Sequence, residues 1–183
     1  VELLNILRPI VAISVYITFI ALALHEHPQE KEKLQMGGEE YTDYFVQEVR
    51  RFYPFFPMLM AKVSEDFLWN GHDFRKGNLV LLDIYGTNHH PDLWEEPYRF
   101  IPERFKKREE NFYDFIPQGG GDYYRGHRCP GEWMTIELMK VATQCLIHTI
   151  DYQVPKQNLT YSMIRFPSLP KSRFVISDIK VIK

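Results

Sequence analysis

FIPQGGGDYYRGHRCPGEW, residues 115 to 133, carries a single cysteine at the end of a Gly-rich loop, directly before Pro130 and Gly131. From there Met134, Leu138, Val141 and Cys145 recur at three- and four-residue steps, the period of a helix. Cys129 therefore stands at or just before a helix N-terminus. Unpaired backbone N–H groups and the helix dipole favour an anion there, which biases the side chain to thiolate, the form that ligates metals. Gly119, Gly120, Gly121, Gly126 and Gly131 are expected to take positive φ and to bring the backbone close to something flat and large. A thiolate under such a loop suits the axial position of a haem iron.

Other roles for Cys129 divide on geometry. A disulfide to Cys145, the only other cysteine, would have to span roughly 24 Å of helix, against a Cα limit of about 7 Å. Zinc would need further ligands at short spacing, and the chain has no C-x-x-C and only scattered histidines. Taken alone, the cysteine is open to two readings, a ligand or an inert buried core residue.

The run Gly126-His127-Arg128-Cys129-Pro130-Gly131 resembles the cysteine loop of the cytochromes P-450, F-x-x-G-x-[RH]-x-C-x-G. Glu48-Val49-Arg50-Arg51 is similar to that family's E-x-x-R element and Pro102-Glu103-Arg104-Phe105 to its P-E-R-F element, with an apolar helix upstream. Phe115 stands further from the cysteine than in the pattern, and Gly126 one place nearer, so the loop is longer. The resemblance implies a mainly α fold with small antiparallel β-sheets, residues 1–183 being the C-terminal part of a single P-450 domain whose N-terminal part is missing. It also implies haem b with Cys129 as axial thiolate, lying between the apolar helix and the cysteine loop. Lys62 and His127 fall at positions that contact the haem propionates in the family. Glu48, Arg51 and Arg104 match a buried group that secures the fold and does not touch substrate.

Length and composition agree with a folded domain: 183 residues, 45% of them hydrophobic, can bury a sizeable core. A formal net charge of −2, with Lys106-Lys107-Arg108 followed at once by Glu109-Glu110, argues against a nucleic-acid partner and reads as a solvated loop. Two cysteines without pairing geometry and no secretory signal fit a cytoplasmic setting. Gly119-Gly120-Gly121 is not followed by Lys-Ser/Thr and so is no phosphate loop, and no Ser-His-Asp arrangement is evident.

In chain order, the apolar run Ile10–Leu24 is 15 residues long. That is short of the roughly 20 needed to span a bilayer, so it reads as a helix buried within a globular protein, with Pro9 expected to interrupt and kink it. A short surface helix over Gln29–Gln35 should stop at Gly37-Gly38, followed by a helix over Glu40–Phe52. Asn70-Gly71 between strand-like runs in residues 57–88 predicts a hairpin and a small sheet. His25 with His27, and His89 with His90, diverge too far to share a metal, and His89-His90-Pro91 reads as a turn. A helix from Glu132 to about Thr149 with Cys145 buried, then a second antiparallel sheet in the tail, completes the expectation.

At the place where ordinary family members carry an acid and a threonine that deliver protons to bound dioxygen, this chain has Arg8-Pro9. Arg8 could simply reach solvent. The pair nevertheless resembles the family's fatty-acid peroxygenase branch. That resemblance implies that the carboxylate of a long-chain fatty acid docks on Arg8 and serves as general acid–base for hydrogen peroxide, giving α- or β-hydroxy acids with no obligatory redox partner. Decarboxylation to terminal alkenes, reductase-dependent monooxygenation, and haem binding without turnover remain open beside it. So does a non-haem reading in which the apolar helix docks on a membrane or partner.

Overall fold

The computed structural model describes residues 2–109 and 111–182; Val1, Glu110 and Lys183 lie outside the described residues. Helix α1 (Glu2–Glu26) runs on through Pro9, so the expected interruption does not divide it. The bonds of the flanking turns carry the helix past the one donor that proline lacks. At 25 residues α1 is longer than the apolar run, and by length and composition it could cross a membrane. Its two halves differ. Val15, Tyr16, Phe19, Ile20, Leu22 and Ala23 are buried, whereas Leu3, Leu4, Leu7, Ile10 and Val11 are exposed. The expected core helix is thus found in the C-terminal half only.

Helix α2 spans Gln29–Phe52 but is bent where two helices were expected, since Gly38 sits at φ 63°, ψ −154°. Nothing crowds a Cβ built there, so glycine is needed for its backbone conformation and not for space. Leu34 before the bend and Phe45, Val46 and Val49 after it pack on α1 in one core, joined by Ile136, Met139 and Ile147 from the C-terminal third.

Strands β1 (Met58–Lys62) and β4 (Leu79–Asp83) pair antiparallel and enclose the hairpin β2 (Phe67–Trp69) and β3 (His72–Phe74). Asn70 and Gly71, both at positive φ, make the tight turn. Helix α3 (Ile84–Asn88) follows directly, capped by the Asp83 carboxylate accepting from the Gly86 N–H, and His89-His90 form the turn after it. A 3-10 helix covers Pro102–Lys107.

Helix α4 (Glu132–Gln144) continues as a π-helical turn, Cys145–Thr149, into β5 (Ile150–Gln153), which pairs antiparallel with β6 (Ser177–Val181). The helix is where it was expected, but its faces are reversed. Met134, Leu138 and Val141 are exposed, as is Cys145, which was expected to be buried. The buried face is Thr135, Ile136, Met139, Thr143 and Ile147. The threonines can face inward because their hydroxyls donate to the helix's own carbonyls, Thr135 to Gly131 at 2.9 Å and Thr143 to Met139 at 2.8 Å.

Candidate functional site

The loop between Phe115 and Gly131 is pinned by backbone bonds. Cys129 N–H donates to the Gln118 carbonyl at 3.0 Å, and Glu132 N–H donates to the Cys129 carbonyl at 3.2 Å. Of the five glycines expected at positive φ, Gly119 (95°) and Gly121 (91°) have it, while Gly131 is at φ −91°. Gly126 is required for a different reason, since a Cβ there would lie 2.8 Å from the Asp122 carbonyl oxygen. The close approach is therefore within the loop itself.

Cys129 is a free, half-buried thiol two residues ahead of the Gly131 N-cap of α4. A Cβ on Gly131 would sit 3.8 Å from its Sγ. Among the described residues no three His, Cys, Asp or Glu side chains gather to hold a metal ion. One soft donor on a helix N-terminus fits a haem iron, whose other ligands come from the porphyrin, and does not fit a metal that needs several side chains.

Behind the loop lies a charge cluster that sequence reasoning missed. Arg128 grips Glu132 with two bonds, Nε to Oε2 at 2.6 Å and Nη2 to Oε1 at 3.1 Å. Arg50 of α2 pairs with the same carboxylate and donates to Gln118 Oε1 at 3.0 and 3.2 Å. All three ions are buried: Arg50 is 2% exposed, Arg128 6% and Glu132 1%. Burial works to raise the Glu132 pKa, but Arg128 and Arg50 overcome it and hold the carboxyl below the usual range. The Arg128 guanidinium also lies 3.8 Å over the Tyr123 ring, and Arg50 lies 5.2 Å over Phe115, the aromatic of the loop motif. The i, i+4 spacing of Arg128 and Glu132 was a visible signal; the reach of Arg50 from another helix was not.

Glu48 and Arg51 form a two-bond pair, both 2.7 Å, with side chains fully buried. Arg104 joins Glu48 at 3.2 Å, and the Ile101 N–H donates to Glu48 at 2.8 Å. Arg51 donates further to the carbonyls of Asn88, Pro97 and Arg99. Three separated segments thus meet on one carboxylate and one guanidinium.

Arg8 and Pro9 are exposed on α1, so Arg8 does not press on the buried core. It shares a face with Ala12, Val15 and Phe19, at i, i+4, i+7 and i+11, of which Val15 and Phe19 are buried and Ala12 packs against the core. On the neighbouring stripe the buried Tyr16 lies close enough to Cys129, Arg50 and Glu132 to feel their charges, and burial raises its phenol well above the usual range. The core-facing side of α1 therefore looks towards the cysteine loop, and Arg8 lies about 12 Å along the axis from Tyr16. Lys62, at the end of β1, and His127 are both exposed.

The family described as Cytochrome P450 matches residues 19–175. Ferruginol synthase of Salvia miltiorrhiza is 30% identical over 119 residues, covering 62% of this chain and 23% of its own length. Cytochrome P450 3A7 of Homo sapiens is 28% identical over 176 residues, covering 85% and 34%. Among solved structures, cytochrome P450EX alpha with myristic acid is 50% identical at a TM-score of 0.88, covering 98% of this chain and 44% of that one. Cytochrome P450SP alpha in complex with (R)-ibuprophen is also 50% identical, at TM-score 0.89 over the same shares. A cytochrome P450 OleT variant in complex with arachidonic acid is 39% identical at 0.87, covering 100% and 43%. The chain spans under half the length of these solved structures and about a third or less of the curated relatives.

Proposed function

The chain belongs to the cytochrome P450 family, and we propose that residues 1–183 form the C-terminal, haem-thiolate portion of a single-domain cytoplasmic fatty-acid peroxygenase. Cys129 is the axial ligand in this reading, and Lys62 and His127 contact the haem propionates. Haem b, when bound, supplies the iron chemistry that cleaves a peroxide O–O bond, which an anionic sulfur ligand promotes.

The observation that carries the reading is the place of Arg8-Pro9 on the face of α1 that continues, one turn further out, the stripe packed on the core. A guanidinium there can take a carboxylate bidentately, and its planar fork fixes the orientation of the acid as well as its position. Pro9 has no N–H and contributes no proton. The bound carboxylate is the acid–base group in this reading. It takes a proton from one peroxide oxygen and returns it to the departing one, which a positioned carboxylate does without any electron-transfer partner. Two similar structures, cytochrome P450EX alpha with myristic acid and the OleT variant with arachidonic acid, support the substrate class. The carbon oxidised is the α or β carbon, because the carboxylate is held at the arginine.

The test is turnover of a long-chain fatty acid with hydrogen peroxide alone, by the haem-loaded protein that carries this chain. Hydroxy acids are expected, and Arg8→Ala should lose them while keeping the parent haem spectrum. Turnover by the parent only with a reductase and NAD(P)H, or undiminished turnover by Arg8→Ala, would overturn the proposal.

A further inference from the structure

We propose that the hairpin β2–β3 is a lipid-docking element, which enters the surface of a neutral phospholipid bilayer with Phe67, Leu68 and Trp69 and seats the protein there as a peripheral one. The inference goes beyond the proposed reaction and rests on neither Cys129 nor Arg8.

Every residue from Ser64 to Leu79 except Phe74 is exposed, so the hairpin stands clear of the core. Large apolar side chains lie there in the open, with Leu68 69% and Trp69 65% exposed. The strand register divides them between two faces. On one, Phe67 opposes Phe74, their rings stacked 4.6 Å apart, and Trp69 opposes His72; on the other, Leu68 opposes Asp73. A flat protein partner covers one face of such a ribbon, whereas a fluid apolar medium surrounds both. Tryptophan suits the bilayer interface, where the ring is buried and its N–H stays hydrated. The steps from Phe67 to Asn70 reach about 10 Å, the depth of the headgroup and upper acyl region. The charges fit the same boundary. No Asp, Glu, Lys or Arg lies between Phe67 and His72. Behind that tip Arg75 bridges Asp66 at 3.1 Å and Asp73 at 2.8 Å, and Asp66 also accepts the Lys76 backbone N–H at 2.7 Å, so the neck of the hairpin is tied with its charges paired. From Glu65 to Lys76 three carboxylates stand against two cations. The hairpin has no positive excess to seek an anionic surface, and its attraction is apolar.

The test is flotation of the haem-loaded protein that carries this chain, with vesicles of phosphatidylcholine alone and of phosphatidylcholine mixed with phosphatidylglycerol. The parent should float with phosphatidylcholine, and neither the anionic lipid nor raised salt should change the bound fraction, since no charge attraction is involved. Trp69→Ser and Leu68→Ser should each lower the partition coefficient about tenfold or more, as loss of one large side chain from an apolar phase does. Haem content and unfolding midpoint should stay at parent values in both. A parent that remains in the lipid-free fraction, or two variants that float as the parent does, would overturn the proposal. A loss in Trp69→Ser alone would reduce the contact to one face and overturn the insertion. Binding that requires phosphatidylglycerol would move the contact to a basic surface elsewhere. Variants that lose haem or unfold early would show the hairpin packed against the rest of the protein, and lipid would not be its occupant.

Discussion

Arg50 and Arg51 are consecutive on α2 and turn to different sides of it, Arg51 closing on Glu48 and Arg50 reaching Glu132 beside the cysteine loop. About 100° separates neighbouring residues on a helix, so one turn anchors two parts of the fold. On one side it holds the segment from Asn88 to Arg104, and on the other the loop that presents Cys129. Both arginines are almost wholly buried, and each is paired with a carboxylate, as buried cations must be.

Glu48→Ala should be the most damaging single change in the fold. It leaves Arg51 buried and unpaired and strips Arg104 and the Ile101 N–H of their acceptor, a loss of about 3–5 kcal/mol for the broken buried pair. Lys140→Ala removes bonds of similar length, 2.7 Å to Asp43 and 2.9 Å to Glu137, but both carboxylates are exposed to solvent. That change should cost at most about 1 kcal/mol. Thermal or denaturant unfolding of the two variants side by side checks the contrast. Near-equal losses would show that Glu48 is not the keystone.

Cys129→Ala should abolish the thiolate-type carbon monoxide spectrum while leaving the secondary structure measured by circular dichroism unchanged. The side chain is only half-buried, and the loop is held by the backbone of Cys129 and not by its sulfur. A variant that kept the thiolate spectrum would refute the assignment.

His89 gives a pH dependence. Its ring is buried between Tyr85, with centroids 3.9 Å apart, and Tyr98. Nδ1 bonds the Tyr85 carbonyl at 2.9 Å and the buried Nε2 has no partner among the described residues. Burial pushes the imidazole down from 6.5 to about 4, and Arg51 and Arg104 add to the effect. The unfolded chain binds the proton first, so stability is fully present above about pH 6.5 and is lost as pH falls towards 4, by about 3 kcal/mol at most. His89→Phe, which keeps the ring stack, should flatten stability across that window. An unchanged slope would assign the acid sensitivity to other groups.

Much of this was legible in the sequence because it is local. Asn70-Gly71 specifies its own turn, Gly38 its own bend, and Glu48 and Arg51 share a face by spacing alone. The cysteine loop was legible as a motif. What escaped was long-range. The inward face of α4 is partly polar, with Thr135 and Thr143 satisfied within the helix, so a hydrophobic stripe pointed to the wrong side and Cys145 was misplaced. The Arg50–Glu132 pair joins residues far apart in the chain, and no local pattern distinguishes that contact from a solvated charge. The five glycines looked alike in composition, yet positive φ is found at Gly119 and Gly121 and a crowded contact within the loop at Gly126.

The finest test of the proposed chemistry is the shape of the cation at position 8. Arg8 is exposed and lies well away from the buried half of α1, so replacing it should change neither the unfolding midpoint nor the haem spectrum. Arg8→Lys keeps the charge but exchanges a planar two-pronged donor for a point charge that can hold a carboxylate in many orientations. If the carboxylate only needs attracting, lysine serves nearly as well. If it must be aimed to pass a proton between the peroxide oxygens, the loss falls on the catalysed step, at about tenfold or ~1.4 kcal/mol. The expected result is therefore a kcat reduced more than KM is raised for Arg8→Lys, and no detectable peroxide-driven turnover for Arg8→Ala. Parent-like kcat in Arg8→Lys would reduce the role of Arg8 to charge attraction alone, and the acid–base role of the docked carboxylate would fall with it.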